Sequence, residues 1–411
     1  MTICFASDFL PEYHKIWGGA EQAAYRYAKL LAGKGHKVEI LTTTPSKFKS
    51  EEDQNIGVIN VPVLADYLGI LGDGLTFVLP FDPLSFIFSF RALRKIKPSL
   101  LHLHRFRRLS FSLILSAKIL KIPVFFSIYD YWSVCPKETL INLRGEPCRL
   151  FQSYSCGSCL SKSLNTPLAS PVAGPLFYLR RAFFNLFISK IKRHLVLSNS
   201  SSNIINSYGI KDVSVVPFPV LGSPEDWQKS TPGKILFVGG IQPRKGLLLV
   251  VEALVKLKKK RTDFKLTVVA TDIEESYLND INGVISNNSL EENVEISPKM
   301  PFEVVKEHIR ESEFIVVAEQ WENMSPLILV EAAFLAKPTV ASRIGGIPSF
   351  IDDGETGLLF EPKDTEEMAL RMETLLGNDA LSQKMGESAK RKILNIFNEE
   401  SIFKRLVQSY A

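Results

Sequence analysis

Phe237-Val238-Gly239-Gly240-Ile241-Gln242-Pro243-Arg244-Lys245-Gly246 sets an apolar run, a glycine pair, two cations and the start of an apolar helix within ten residues. An apolar run that breaks at glycine and resumes with helical periodicity is a strand feeding a helix. Lys234 to Val238 reads as the strand and Gly246 to Lys260 as the helix. Downstream the alternation continues. Strands are expected at Lys265 to Ala270, Val294 to Ser297, Phe314 to Ala318 and Thr339 to Ser342, with helices at Glu303 to Glu311, Pro326 to Ala336 and Asp364 to Leu376. Strands joined through helices pair in parallel, so this half is an α/β doubly wound sheet.

Upstream the same architecture is written once already. Thr2 to Ser7, Lys37 to Thr43, Gly57 to Pro62, Leu100 to His104, Val124 to Ser127, His194 to Ser198 and Ser214 to Val216 read as strands, and Ala20 to Leu31 as the first helix. Pro217 to Gly233, rich in Pro, Gly and Ser, is the linker. The expected division is an N-terminal Rossmann-like domain over 1–220, a C-terminal domain over 221–385, and a helix over 386–411 returning to the first domain. Residues 133–175, rich in Cys, Gly, Ser and Pro, break the rhythm as an insertion.

At 411 residues the chain exceeds one ordinary core and suits two. With 45% hydrophobic and 23% charged residues it is neither disordered nor fibrous. A net charge of +5 favours small anions or an acidic membrane surface and is far from a nucleic-acid footprint. The start MTICFASDFLP lacks a basic segment and meets Asp8 early, which reads as a strand and not a signal peptide. Gly74 to Phe90 is apolar but carries Pro80, Asp82 and Pro83, too interrupted to span a bilayer. The expected location is cytoplasmic, at most peripheral at the inner face of a membrane. Leu176 to Arg193 interleaves Arg180, Arg181, Lys190, Lys192 and Arg193 with phenylalanines, fitting either a membrane-surface helix or a core helix with basic ends.

Gly18-Gly19-Ala20-Glu21 follows the first strand, where glycines let a phosphate approach and a helix N-terminus offers free N–H groups. A tight turn with Glu21 supporting the helix start explains it equally. In the second loop Gly239 and Gly240 precede Arg244 and Lys245; Lys245 suits a diphosphate, and a solvated loop is the plainer reading. In Trp321-Glu322-Asn323-Met324-Ser325-Pro326-Leu327-Ile328-Leu329-Val330-Glu331-Ala332, Ser325-Pro326 opens an apolar helix in which Glu331 needs a reason. A ribose diol donating two hydroxyls to the carboxylate supplies one; backbone N–H groups are the alternative. Gly345-Gly346-Ile347-Pro348 and Asp353-Gly354-Glu355-Thr356-Gly357-Leu358 mark two turns.

Cys135, Cys148, Cys156 and Cys159 cluster in the insertion, with Cys156-Gly157-Ser158-Cys159 a metal-knuckle spacing. Four thiolates suffice for a structural zinc; free thiols and a redox pair or cluster are the other readings. His102 and His104 share a face of their strand, and His104 falls where the strand opens, fitting either a catalytic or a core role.

Taken in order, the GGAE turn, the VGGIQPRKG loop, the WENMSPLILVEA segment and the SRIGGIPSFIDDGETGLLF tail resemble the family-4 retaining glycosyltransferases of GT-B fold, of the bacterial polysaccharide and envelope type. The resemblance implies two facing Rossmann-like domains and transfer of a hexose, with retained configuration, from a UDP- or GDP-sugar to a glycan or lipid-linked acceptor. It implies no cofactor for catalysis, and the chain has no Asp-x-Asp triplet. Carried over, Gly18, Gly19, Gly239 and Gly240 approach the donor phosphates, Lys245 and Arg244 meet their charge, Ser325, Pro326 and Leu327 hold phosphate and ribose, and Glu331 binds the ribose.

Three positions depart from the family. Gly240 stands where an Arg is usual, leaving Arg244 to complete the cationic clamp. Asn323 stands eight positions before Glu331, where an acid is usual, with Glu322 one residue away. Tyr129 stands where a His is frequent, and Asp130 beside it is the group to take over contact with sugar hydroxyls. A GT-B-type nucleotide-sugar epimerase and a catalytically silent nucleotide-sugar-binding protein are the alternatives.

Overall fold

The structure, a computed structural model, describes the chain apart from residues 15–18, 45–54, 77–78, 80, 149–152, 154, 165–172 and 220–223. It divides into two compact units, Met1–Val220 with Phe397–Ala411, and Leu221–Ile396.

Among the described residues the first unit is built on seven strands, β1 (Thr2–Ala6), β2 (Lys37–Thr42), β3 (Ile56–Asn60), β4 (Leu100–Leu103), β5 (Val124–Ser127), β6 (Arg193–Val196) and β7 (Val213–Val215). All pair in parallel, in the order β3-β2-β1-β4-β5-β6-β7. Ile3, Phe5, Val38, Ile40, Leu101, Phe125 and Leu195 are buried, as expected of strands covered on both faces. Gly19–Gly33 is the first long helix, with Ala23, Ala24, Tyr27 and Leu31 buried. The apolar stretch after Gly74 becomes the helix Pro83–Ile96, capped by Asp82, whose carboxylate accepts from Ser85 N at 2.9 Å. No helix among the described residues is long and apolar enough to cross a membrane.

Two helices stand where the sequence suggested one over 386–411. Asp379–Ile396 ends the second unit, and Glu399–Tyr410, capped by Asn398, packs in the first with Ile402 and Leu406 fully buried.

The second unit holds β8 (Lys234–Ile241), β9 (Lys265–Ile273), β10 (Val294–Ser297), β11 (Phe314–Val317), β12 (Thr339–Ser342) and β13 (Leu358–Phe360). They form one parallel sheet in the order β10-β9-β8-β11-β12-β13. Helix Leu247–Lys258 buries Leu247, Val250, Val251, Leu254 and Leu257 against it. The three-residue β13, among turn residues, carried no clear sequence signal, whereas helix Glu275–Asn287, absent from the sequence reading, sets Tyr277, Leu278, Ile281, Val284 and Ile285 at helical spacing and buries Tyr277, Ile281 and Ile285.

β8 also runs past Val238. Gly239 and Gly240, expected to turn the chain, lie inside the strand with a register shift against β9, and the turn comes at Pro243–Lys245. A Cβ on Gly240 would stand 2.0 Å from Asp272 Oδ1 on β9, so a side chain there would require the exposed Asp272 carboxylate to swing aside.

Candidate functional site

In each unit the sheet order reverses beside its first strand, between β1 and β4 and between β8 and β11. Loops at the carboxyl ends of strands diverge at such a point and leave a crevice where ligands of doubly wound sheets bind.

In the second unit three loops meet there, from β8, β11 and β12. Glu319, two residues past β11 and 3% exposed, is their hub. Its Oε1 accepts from Lys245 Nζ at 2.5 Å and from Asn323 Nδ2 at 2.9 Å, and its Oε2 from Trp321 Nε1 at 2.5 Å. The buried charge is thus met by one cation and two neutral donors. Lys245, 21% exposed along its side chain, keeps two further N–H donors for another anion. Arg244 lies 5.4 Å from the centre of the Trp321 ring and donates to Gln242, which in turn holds Asp272.

Backbone contacts fix these loops to one another. Gly246 has φ +73° and its α-carbon faces the Ala318 carbonyl, which a Cβ would approach to 2.1 Å. Gln320 N donates to Arg244 O at 2.8 Å. Gly346 N donates to Asn323 O at 2.7 Å, and a Cβ on Gly345 would meet that oxygen at 2.5 Å. Asn323 Oδ1 accepts from Ser325 N at 3.2 Å.

The helix Leu327–Phe334 begins at the same place, with Pro326 at its cap position and no side chain capping its first amides. Ser325 Oγ, beside that terminus, is buried with no hydrogen-bond partner. Free amides and an unspent hydroxyl at a helix N-terminus suit an anion or a sugar hydroxyl. Glu331 lies further along this helix, partly buried, and Glu322 is partly buried in the loop before it. Lys245, Arg244, Asn323, Ser325, Pro326 and Leu327 are therefore gathered in one unit. Sequence reading missed Glu319. Its signal was an acid just past a fully apolar strand, where a carboxylate has no structural reason to be buried.

In the first unit Gly18 lies outside the described residues, and Gly19 is the exposed first residue of its helix. Glu21, buried, faces Arg105 at 3.4 Å. Arg105 and Arg107 share Glu138 at 3.5 and 3.2 Å. His104 Nδ1 bonds the Tyr129 hydroxyl at 2.7 Å, while its Nε2 is buried with no partner. Burial, and then the neighbouring His102, hold its pKa well below the usual histidine range, so the ring is neutral. A recess of about 10 Å³, the room of roughly one water, is lined by His104, Arg105, Tyr129, Asp130 and Glu138. Asp130 accepts from Trp132 N at 2.8 Å; burial and the Glu138 charge raise its pKa while Arg105 opposes them.

His102 takes the core role of the two the sequence allowed, with both ring nitrogens engaged. Its Nδ1 bonds Tyr410 and its Nε2 bonds Ser127, both at 2.8 Å, and burial pushes its pKa down to about 3. In the helix Ala173–Ile188, Phe177, Arg180, Phe184 and Phe187 are buried and Tyr178, Leu179 and Leu186 exposed, so Arg180 does not belong to a basic surface.

Residues 17–220 match the family model for Glycosyltransferase Family 4, and residues 223–392 match that for Glycosyl transferases group 1. Among curated relatives, the α-D-kanosaminyltransferase of Streptomyces kanamyceticus is 28% identical over 155 residues, 38% of this chain and 39% of that protein. The D-inositol 3-phosphate glycosyltransferase of Corynebacterium aurimucosum is 31% identical over 160 residues, 38% and 37% respectively. The chain spans about two fifths of the length of the curated relatives it matches. Sucrose-phosphate synthase from Thermosynechococcus elongatus superposes over 100% of this chain and 98% of that one, at a TM-score of 0.70 and 15% identity. Anabaena HepE in complex with UDP-glucose superposes over 100% and 99%, at 0.69 and 16%. With two doubly wound units and that shared architecture, the chain has the GT-B fold, its N-terminal half matching the Glycosyltransferase Family 4 model and its C-terminal half the Glycosyl transferases group 1 model.

Proposed function

We propose that the protein transfers a hexose from a UDP- or GDP-sugar, with retention of anomeric configuration, to a glycan or lipid-linked acceptor in envelope polysaccharide synthesis. Residues 221–385 carry the donor and 1–220 serve the acceptor. The observation that supports this reading is Lys245, held by the buried Glu319 beside an uncapped helix N-terminus and the unpartnered Ser325 hydroxyl. A nucleoside diphosphate leaving group builds negative charge as the glycosidic bond breaks. Donors fixed before the reaction stabilise that charge without reorganising. In this reading Lys245, with Arg244 nearby, meets the diphosphate oxygens, the Leu327 and Ile328 amides and Ser325 Oγ donate to phosphate or ribose, and Glu331 accepts from the ribose hydroxyls. An oxygen of the departing phosphate takes the acceptor proton, so no separate base is needed. His104 and Asp130 are the groups proposed to meet sugar hydroxyls, with Asn323 or Glu322 at the hexose.

UDP- and GDP-hexoses are tested for binding by thermal shift, then for nucleotide release with a panel of acceptors, and the product anomer is read by NMR. One nucleotide class should stabilise the protein and yield an axial-to-axial or equatorial-to-equatorial transfer. Failure of every UDP- and GDP-sugar to bind would sink the proposal. Conversion of donor to an epimer without acceptor would replace it.

A further inference from the structure

The insertion after β5 brings four sulfurs to one hollow. Cys135, Cys148, Cys156 and Cys159 all line a cavity of about 410 Å³. Cys135 follows the loop after β5, Cys148 follows the bridge Ile141↔Pro147, and the other two lie on the helix Ser155–Leu164. Three residues apart on a helix, Cys156 and Cys159 share a face, and Cys156 sits in the first turn, where the helix N-terminus favours a thiolate. Burial raises the pKa of the Cys135 and Cys156 thiols, and hydrogen bonds from the backbone of Leu140 and Lys137 to Cys135 and of Ser153 to Cys156 oppose it. Such donors stabilise a charged sulfur more than a neutral one.

A second observation is independent of the thiols. Arg180, on the helix Ala173–Ile188, is 1% exposed and permanently charged. Its Nη2 donates to Trp132 O at 3.1 Å, its guanidinium lies over the Trp132 and Phe184 rings at 5.1 and 5.0 Å, and its Nη1 is buried with no partner. Among the described residues it forms no ion pair with a carboxylate. The groups whose negative charge would act on it most are the sulfurs of Cys135 and Cys156 and then Glu138, which is already shared by Arg105 and Arg107. Neutral thiols would leave a buried cation uncompensated, which is costly. Four thiolates around a divalent ion carry a net charge of about −2, which supplies the missing counter-charge. Among the described residues no three ligating groups already surround one point, so loading requires the partly buried Cys148, Cys156 and Cys159 to move.

We propose that Cys135, Cys148, Cys156 and Cys159 bind one divalent thiophilic metal ion of the zinc class as a structural tetrathiolate that neutralises Arg180 and fastens the insertion to helix Ala173–Ile188. The full-length protein, purified anaerobically with reductant, is digested for metal analysis; a chelator-stripped sample is titrated with cobalt(II). About one zinc per chain is expected, and cobalt should give the visible bands and thiolate charge-transfer absorption of a tetrahedral sulfur site. Cys148→Ser and Cys159→Ser should each weaken cobalt binding at least tenfold. Arg180→Met should weaken it about 10- to 100-fold while keeping the four-sulfur spectrum, as loss of an outer charge does. Should a variant fail to fold, the cobalt spectrum of the unaltered chain decides alone. Metal-free protein with four reactive thiols and no cobalt bands overturns the proposal, as does iron with acid-labile sulfide or a disulfide among these cysteines.

Discussion

Lys245 reads in the sequence as either a diphosphate partner or a solvated loop cation, and its pairing changes what its loss should do. It is 21% exposed, whereas Glu319 is 3% exposed. Removing the lysine strands a buried carboxylate on two neutral donors, while removing the carboxylate leaves an ammonium that can rehydrate. Lys245→Met should therefore destabilise the second unit by about 3–5 kcal/mol, and Glu319→Gln by only about 1–2 kcal/mol. The double variant should recover much of the stability lost in Lys245→Met, because the uncompensated charge is gone. Turnover should stay lowered by about 10²- to 10³-fold in both variants lacking the lysine. Urea unfolding and nucleotide release separate the two effects; equal stability of Lys245→Met and the parent would refute the coupling. The residues named by motif were legible because glycine, cation and serine recur at loop positions with a stated chemistry. Glu319 was not, because its role depends on which side chains the β8 and β11 loops bring together, and spacing along one loop does not encode that.

Strands and long helices were legible wherever apolar residues were continuous or periodic, as in β8, β11 and Leu247–Lys258. Three-residue β13 was not, because its order comes from neighbours and not from its own pattern, whereas helix Glu275–Asn287 was missed although Tyr277, Leu278, Ile281, Val284 and Ile285 recur at helical spacing. The glycine pair in β8 was read for phosphate approach at a turn, and it lies inside the strand, at the register shift against β9. Gly246 is the stricter requirement, combining positive φ with a 2.1 Å approach to the Ala318 carbonyl, so both the turn and the β11 loop depend on it. Gly246→Ala should cost more than about 2 kcal/mol by strain and overpacking; an unfolding midpoint within error of the parent would contradict this. Lys337, two residues before β12, shows the same dependence on neighbours. It is fully buried, its Nζ donates to Gln228 O at 2.7 Å and Ser230 Oγ at 2.6 Å, and burial lowers its pKa to about 8. The unfolded chain keeps the lysine proton to a higher pH than the fold does, so over the window from about 8 to the ordinary lysine value of 10.5 the unfolded state binds more protons. Stability of the parent relative to Lys337→Met should rise with pH across that window, measured by urea unfolding at each pH; a flat or falling difference would count against it.

At the scale of the molecule, the doubling of the fold was legible because the alternation restarts after a Pro/Gly/Ser-rich segment, whereas the fate of the last residues depends on packing that no periodicity states. Helix Glu399–Tyr410 contributes two fully buried aliphatics, Ile402 and Leu406, to the first unit. It also places the Tyr410 hydroxyl on His102 Nδ1 at 2.8 Å and offers the carbonyls of Gln408 and Ser409 to Arg193 at 3.2 and 3.3 Å. His102 Nε2 is engaged by Ser127, so one imidazole joins β4, β5 and the C-terminal helix. Each aliphatic is worth about 1.5–3 kcal/mol of burial, and a chain ended at Ile396 also strands a buried histidine nitrogen. Such a chain should unfold in two steps, with the first unit lowered by several kcal/mol and the second, which retains Lys245, Glu319 and Ser325, unchanged. If the donor is held by the second unit as proposed, nucleotide should still raise the later transition while transfer is lost. Tyr410→Phe is the milder probe: it keeps the ring in place, removes one hydrogen bond worth about 1 kcal/mol, and should lower only the earlier transition. Calorimetry with and without nucleotide reads both steps, and a single transition shifted as a whole would mean that the two units do not unfold independently.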